Sequence, residues 1–258
     1  MNELKIETGK HNRTISVPSC WNELSQNEFI SVARFLAEKD SNPLAEKRLL
    51  AVLLRCSLDS VSSFPTMKLY FLFKEAFGFL LAPQAIISKL LIPSIELEGQ
   101  TLIGYQPSFS NTTWEEFVYA DGYSLAGRFR EAAAVLYRPQ RHDFNGETDR
   151  RIPFTIYGTD SRMELFSKMD DALLLAISIN YNALRRNFLE NRYPSVFARK
   201  GKKKKTKGQG ETAFSWVGIH RDLMGDHFYD EHKFFESNVH SILNRLENVI
   251  ESNRLHRK

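Results

Sequence analysis

The sequence predicts a mostly α-helical fold: a multi-helix orthogonal bundle with one small β-hairpin and a small helical C-terminal module. Three observations lead there. Apolar residues recur at helical spacing through most of the 258 residues. Helix-start signals precede several of these runs. Strand-like alternation is convincing only around Gly99. A hydrophobic share of 42% beside 26% charged residues suits a chain with a real core and argues against disorder.

The elements follow in order. Ser25-Gln-Asn-Glu28 has capping-box spacing, and Phe29, Val32, Ala33, Phe35 and Leu36 then predict an amphipathic helix to about Lys39. Pro43 suits the first turn of a second helix with Leu49, Leu50, Val52, Leu53 and Leu54 on a broad apolar face. Pro65 and Thr66 restart the pattern through Met67, Leu69, Tyr70, Leu72, Phe73 and Phe77, and a short helix is expected over residues 83–91. The stretch 95–105 alternates around Glu98-Gly99-Gln100 and predicts the hairpin. Thr112 and Thr113 start a long helix with Trp114, Phe117, Ala120, Leu125, Phe129, Ala133 and Leu136 on its buried face, ended by Pro139. Residues 138–154 read as a polar loop, and residues 161–190 as a second long helix. Val239, Ile242, Leu243, Leu246 and Ile250 predict a last amphipathic helix. Trp21, Trp114 and Trp216 each stand at a helix start, where they can staple the chain entry onto the core.

The formal charge of +4 belongs to one segment. Arg199, Lys200, Lys202, Lys203, Lys204, Lys205 and Lys207 are seven cations without an acid among them, and without them the rest stands at −3. Self-repulsion and three glycines predict a flexible linker over 199–212, between a helical body (1–198) and the C-terminal module (213–258). As a nucleic-acid contact, Lys200, Lys202, Lys203, Lys204, Lys205 and Lys207 would bind phosphates with steep salt dependence and no base stacking. A nuclear-localisation-like signal also fits the run.

Catalytic patterns are missing. There is no phosphate-cradling glycine loop and no G-x-S-x-G elbow. His142-Asp143, with Ser161 or Ser167, is the nearest thing to an acid–base pair and nucleophile, but a polar loop between helices is the simpler reading. His220, His227, His232 and His240 lie near Asp222, Asp226, Asp230 and Glu231, but no histidine pair has the three- or four-residue spacing of a helical metal site. Cys20 and Cys56 match no metal or redox spacing, so two reduced thiols is the simpler reading. No cofactor or metal is expected. The first residues lack the apolar core of a signal peptide, and no apolar run approaches the ~20 residues of a spanning helix. A cytoplasmic location is therefore expected.

A module of some 45 residues has too little core to stand comfortably alone, so its apolar face is expected to dock on the body or on a partner. Trp216, Val217, Ile219, Ile242, Leu243 and Leu246 are the expected partner-binding residues.

The order of certain segments carries a resemblance. Trp21-Asn-Glu-Leu-Ser-Gln-Asn-Glu-Phe29 heads the first helix, and Trp114-Glu-Glu-Phe117 leads toward Ala132-Ala-Ala-Val-Leu-Tyr-Arg-Pro139. Beyond the charged linker come Phe214-Ser-Trp-Val-Gly-Ile-His-Arg-Asp-Leu223 and Phe234-Phe-Glu-Ser-Asn-Val-His-Ser-Ile-Leu-Asn-Arg-Leu246. This resembles the helical tail assembly chaperones of tailed bacteriophages and prophages. The resemblance implies a non-enzymatic role in virion morphogenesis, holding the apolar helices of a tape measure protein until tail tube subunits replace it. It maps tube-subunit recruitment onto residues 214–246. A ring or neck protein of a tailed phage is the alternative within that class, and a homo-oligomer stays open.

Overall fold

The computed structural model describes residues 2–8, 11–81, 87–146, 149–197, 216, 219 and 231–256. They form a mostly helical structure with small antiparallel sheets, as the sequence predicts. The chain divides into two compact units, Met1–Ile92 with Met169–Ala183, and Pro93–Lys168 with Leu184–Lys258. This differs from the expected body (1–198) and separate module (213–258). The C-terminal residues cluster with residues 93–168 because their apolar side chains are packed there.

The first unit opens on a hairpin that the sequence reading did not expect. β1 (Asn2–Thr8) pairs antiparallel with β2 (His11–Val17), with Thr8 opposite His11. The next element is the expected one. α1 (Gln26–Glu38) is capped by Ser25, whose Oγ accepts from the Glu28 N–H while the Glu28 carboxylate accepts from the Ser25 N–H at 2.8 Å. Both reciprocal bonds of the capping box are present, so Ser25→Ala should cost about 1 kcal/mol of stability; thermal unfolding of the variant checks this. Trp21 is buried and meets Phe29 edge-on, as a staple would. α2 (Ala45–Leu53) and α3 (Leu58–Ser62) follow, the latter capped by the Ser57 hydroxyl.

α4 (Thr66–Phe77) turns Leu69, Phe73, Ala76 and Phe77 into the unit, where Phe73 packs against Phe35. The expected helix over 83–91 lies partly outside the described residues, and its described part, 87–91, is not helical. The long helix expected over 161–190 is two helices with a break. α7 (Tyr157–Ser167) ends at Lys168, and α8 (Asp171–Arg185) begins where the Asp170 carboxylate accepts from the Ala172 N–H at 2.9 Å. Asp170 is thus the start signal that apolar periodicity alone conceals. Within the first unit, Asn180 of α8 is fully buried, accepting from the Leu91 N–H and donating to the Lys89 carbonyl.

The second unit contains the expected hairpin, β3 (Ser94–Leu97) with β4 (Gln100–Ile103). Its two turn residues, Glu98 and Gly99, both have positive φ (48° and 78°), the conformation that suits a two-residue hairpin loop. A third strand, β5 (Arg138–Pro139), pairs with β4. The single long helix expected over 113–137 is α5 (Trp114–Leu125) and α6 (Phe129–Leu136), separated at Gly127 with φ of 72°. Only a residue tolerant of the left-handed region makes that turn readily. After α8 a π-helical turn over Arg186–Glu190 leads to α9 (Pro194–Phe197). α10 (Glu231–Glu236) and the expected α11 (Val239–Leu255) complete the unit.

Candidate functional site

Among the described residues, chemistry or apolar surface gathers at a seat for Trp216, a buried arginine cluster and the outer face of α4. The first two lie in the second unit.

α5 places Trp114, Phe117 and Asp121 at helical spacing on one face, and all three are buried. Trp216 meets Trp114 edge-on at 5.5 Å and 86°, Phe117 at 5.0 Å, and Phe197 at 5.6 Å between ring centroids. Its indole N–H donates to Asp121 Oδ2 at 2.5 Å. Arg185 neutralises the same carboxylate and lies over the Phe197 ring, 4.9 Å from its centroid. An aromatic body in an aromatic pocket with its one donor satisfied is how a tryptophan anchor is held.

α11 is fastened to this unit. The Trp114 N–H donates to the Ser237 carbonyl at 2.8 Å, and the Val239 N–H to the Thr112 carbonyl at 3.0 Å. Glu247 accepts from the Ser195 and Val196 N–H groups at 2.9 Å each, capping the start of α9. Ile242, Leu243 and Leu246 are buried.

The expected partner-binding set is therefore corrected in part. Trp216, Ile242, Leu243 and Leu246 already serve this chain's own packing and are not a free surface, Ile219 is half-buried, and Val217 lies outside the described residues. The physical reason is that the C-terminal segment satisfies its apolar face on α5 and α9.

His240, one of the four histidines weighed in the C-terminal segment, is held in a hydrogen-bonded pair of contacts. Its Nε2 lies 2.6 Å from the Ser108 carbonyl, which only accepts, so Nε2 carries the proton. Nδ1 then accepts from the Tyr193 hydroxyl at 2.9 Å. Burial, helped by Arg192, holds the His240 pKa below its ordinary 6.5 against the raising effect of the Ser108 bond. A lowered folded pKa means that the folded state binds fewer protons than the unfolded one. Its contribution is complete above pH 6.5 and is lost as pH falls from there toward the folded value. Unfolding midpoints measured between pH about 7.5 and 5 should fall on acidification, and His240→Gln should remove part of that slope.

The arginine cluster occupies the stretch expected to be a polar loop. Arg151 Nη1 donates to Glu116 Oε1 at 2.6 Å and Arg138 Nη2 to Glu116 Oε2 at 2.9 Å, with all three side chains buried. Asp149 accepts from Arg151 Nε at 3.0 Å and Arg138 Nη2 at 3.1 Å. Other guanidinium donors reach the carbonyls of Leu136 and Asn111 (from Arg151) and Ile152 (from Arg138). Arg162 donates to the Ala134 carbonyl at 2.7 Å, and burial beside Arg138 pulls its pKa down to about 10, which leaves it charged at neutral pH. Burial opposes the charge on Arg151, but Glu116 and Asp149 more than offset it. Buried charges that are paired in this way knit α5 and α6 to residues 138–151.

The other sequence candidates do not come together. Asp143 is held by Arg141 at 3.1 Å, while Ser161 and Ser167 donate to the Gly158 and Glu164 carbonyls. His232 pairs with Glu236 at 3.3 Å on the surface. Among the described residues, no three His, Cys, Asp or Glu side chains converge on a metal position, and no helix is long and apolar enough to cross a membrane. Cys20 and Cys56 are not joined in a disulfide. Lys200, Lys202, Lys203, Lys204, Lys205 and Lys207, with the linker 199–212, lie outside the described residues, as do His220 and His227. A groove of about 280 Å³ between α1 and α2, lined by Phe35, Leu49, Arg34, Arg48 and Glu38, falls just below the usual range for small-molecule sites.

The expected helical pattern groups Met67 and Tyr70 with Leu69 and Phe73, and the structure sets the two pairs on different faces of α4. Met67, Tyr70 and Phe71 point outward, 67%, 54% and 50% exposed. Counting 100° per residue, they cover the side opposite Leu69, Phe73 and Ala76. The signal was legible: α4 is apolar on two faces, and one unit buries one of them.

No family model, curated protein or solved structure matches this chain.

Proposed function

We propose that this chain is a non-enzymatic factor that holds other proteins, with the outer face of α4 as its contact surface. One observation carries the reading: Met67, Tyr70 and Phe71 stand side by side, exposed, on a helix whose other face already fills the core. Contiguous exposed apolar side chains mark interaction surfaces, and aromatic residues are the usual anchors of an interface. Among the described residues the buried ionisable cluster of Glu116, Arg138, Arg151 and Asp149, by contrast, is engaged in structural pairing.

The resemblance to tail assembly chaperones supplies the candidate clients, a tape measure protein or tail tube subunits in the bacterial cytoplasm. Co-expression with both proteins from the same locus tests this. Co-purification that is lost in Phe71→Glu, with unchanged circular dichroism, supports the reading. Equal recovery of a client with the wild type and with Phe71→Glu refutes α4 as the contact. The ring or neck alternative predicts instead that the chain is found in finished particles.

A further inference from the structure

We propose that the outer face of α4 seats the α4 of a second copy of this chain, the two helices running antiparallel with Phe71 at the centre. The inference rests on reading that face as a contact surface and adds the identity of its occupant. The argument comes from the charges that border the stripe.

Lys68 and Glu75 are seven residues apart, so they lie on one flank of the Phe71 stripe, about 10 Å apart along the axis. Both are exposed, and among the described residues neither is engaged in a hydrogen bond or ion pair. A two-fold axis passing between Phe71 and Leu72, perpendicular to both helices, keeps that flank on the same side in both copies. It sets Lys68 of each copy opposite Glu75 of the other. Two ion pairs then border one apolar seam, and the surface is self-complementary in the way an isologous interface requires. A parallel pairing puts each charge level with its own copy and gains neither bond.

The opposite flank fits as well. Tyr70 and Lys74 lie there one turn apart, and the same axis brings Lys74 of one copy beside Tyr70 of the other, where an ammonium can rest on a ring face. Lys74 is likewise exposed and unengaged among the described residues. In the chain itself Tyr70 packs edge-on against Phe71 at 5.8 Å, so the aromatic pair is already in place before association. A seam of one helix per copy is small, so the dimer is weak and loosens with salt, its charges being at the rim.

Sedimentation velocity of the full chain over a concentration series tests the proposal. The wild type should pass from monomer to dimer as concentration rises. Phe71→Glu should remain monomeric. Lys68→Glu and Glu75→Lys should each weaken association about tenfold or more, because each replaces two attractive pairs with two repulsive ones. The decisive arm is the mixture. Equimolar K68E and E75K should associate at least as well as the wild type, since every pair across the seam is again of opposite sign. All three positions are exposed, and circular dichroism confirms that each variant is folded.

A wild type that is monomeric throughout, a Phe71→Glu chain that still dimerises, or a mixture no better than its components overturns the proposal. A monomeric wild type whose client binding is lost in Phe71→Glu overturns this inference alone and leaves the proposed function standing. A wild type that neither dimerises nor loses client binding on the Phe71→Glu change overturns the contact surface itself.

Discussion

Glu116→Gln should be the most damaging single substitution in the second unit. The carboxylate lies between Arg138 and Arg151, all of them buried. Neutralising it leaves two guanidinium groups in the interior with only the half-buried Asp149 in support. Removing one partner from a buried ion pair typically costs about 3–5 kcal/mol, much of it the penalty of the stranded charge. In a domain of this size each kcal/mol lowers Tm by roughly 2–4 °C, so a fall of about 10 °C is expected by calorimetry. Arg141→Ala removes the partly exposed Arg141–Asp143 pair and should change stability by less than about 1 kcal/mol. If the two variants lose similar stability, the cluster is not the structural centre described above.

Trp216→Ala should come second. It empties a seat built by Trp114, Phe117 and Phe197, and large-to-small changes of this kind cost about 3–5 kcal/mol. Trp216→Phe keeps a ring but loses the donor to Asp121, and a hydrogen bond to a charged group contributes about 1.5–3 kcal/mol. Alanine should therefore be worse than phenylalanine, and both should reduce the near-ultraviolet circular dichroism of the Trp114–Trp216 pair. Wild-type spectra and stability in both variants would mean that Trp216 is not seated on α5.

These two sites differ in how far the sequence disclosed them. Ser25 and Glu28 are three residues apart, so their box is a local pattern and was legible before any fold was known. The hairpin at Glu98-Gly99 was legible for the same reason. Arg138 and Arg151, by contrast, find Glu116 at separations of 22 and 35 residues, and nothing in the local pattern of 138–154 distinguishes a buried cation from a solvated one.

Trp216 was legible as an anchor but not as its own chain's anchor. The residue type announces burial and a hydrogen bond, whereas the partner comes from α5, 95 residues away. The N-terminal hairpin was missed although Leu4 and Ile6 alternate, as do Ile15 and Val17, on either side of Gly9-Lys10. The break at Asp170 was hidden by apolar periodicity that continues on both sides of it. α4 is the instructive case. Its apolar residues exceed what one buried face needs, one unit buries only one side of a helix, and that excess is the sequence feature behind the proposed contact surface.

The most direct test of the central claim is oxidative footprinting of the exposed side chains of the full chain. Methionine and aromatic rings are reactive toward hydroxyl radicals in proportion to their exposure. Met67, Tyr70 and Phe71 should lose labelling as concentration rises or as the tape measure or tube protein is added, while Tyr157, 90% exposed on α7, serves as the reference and stays labelled. Undiminished labelling of all three residues under every one of these conditions would contradict the claim that the outer face of α4 is where this protein makes its contacts.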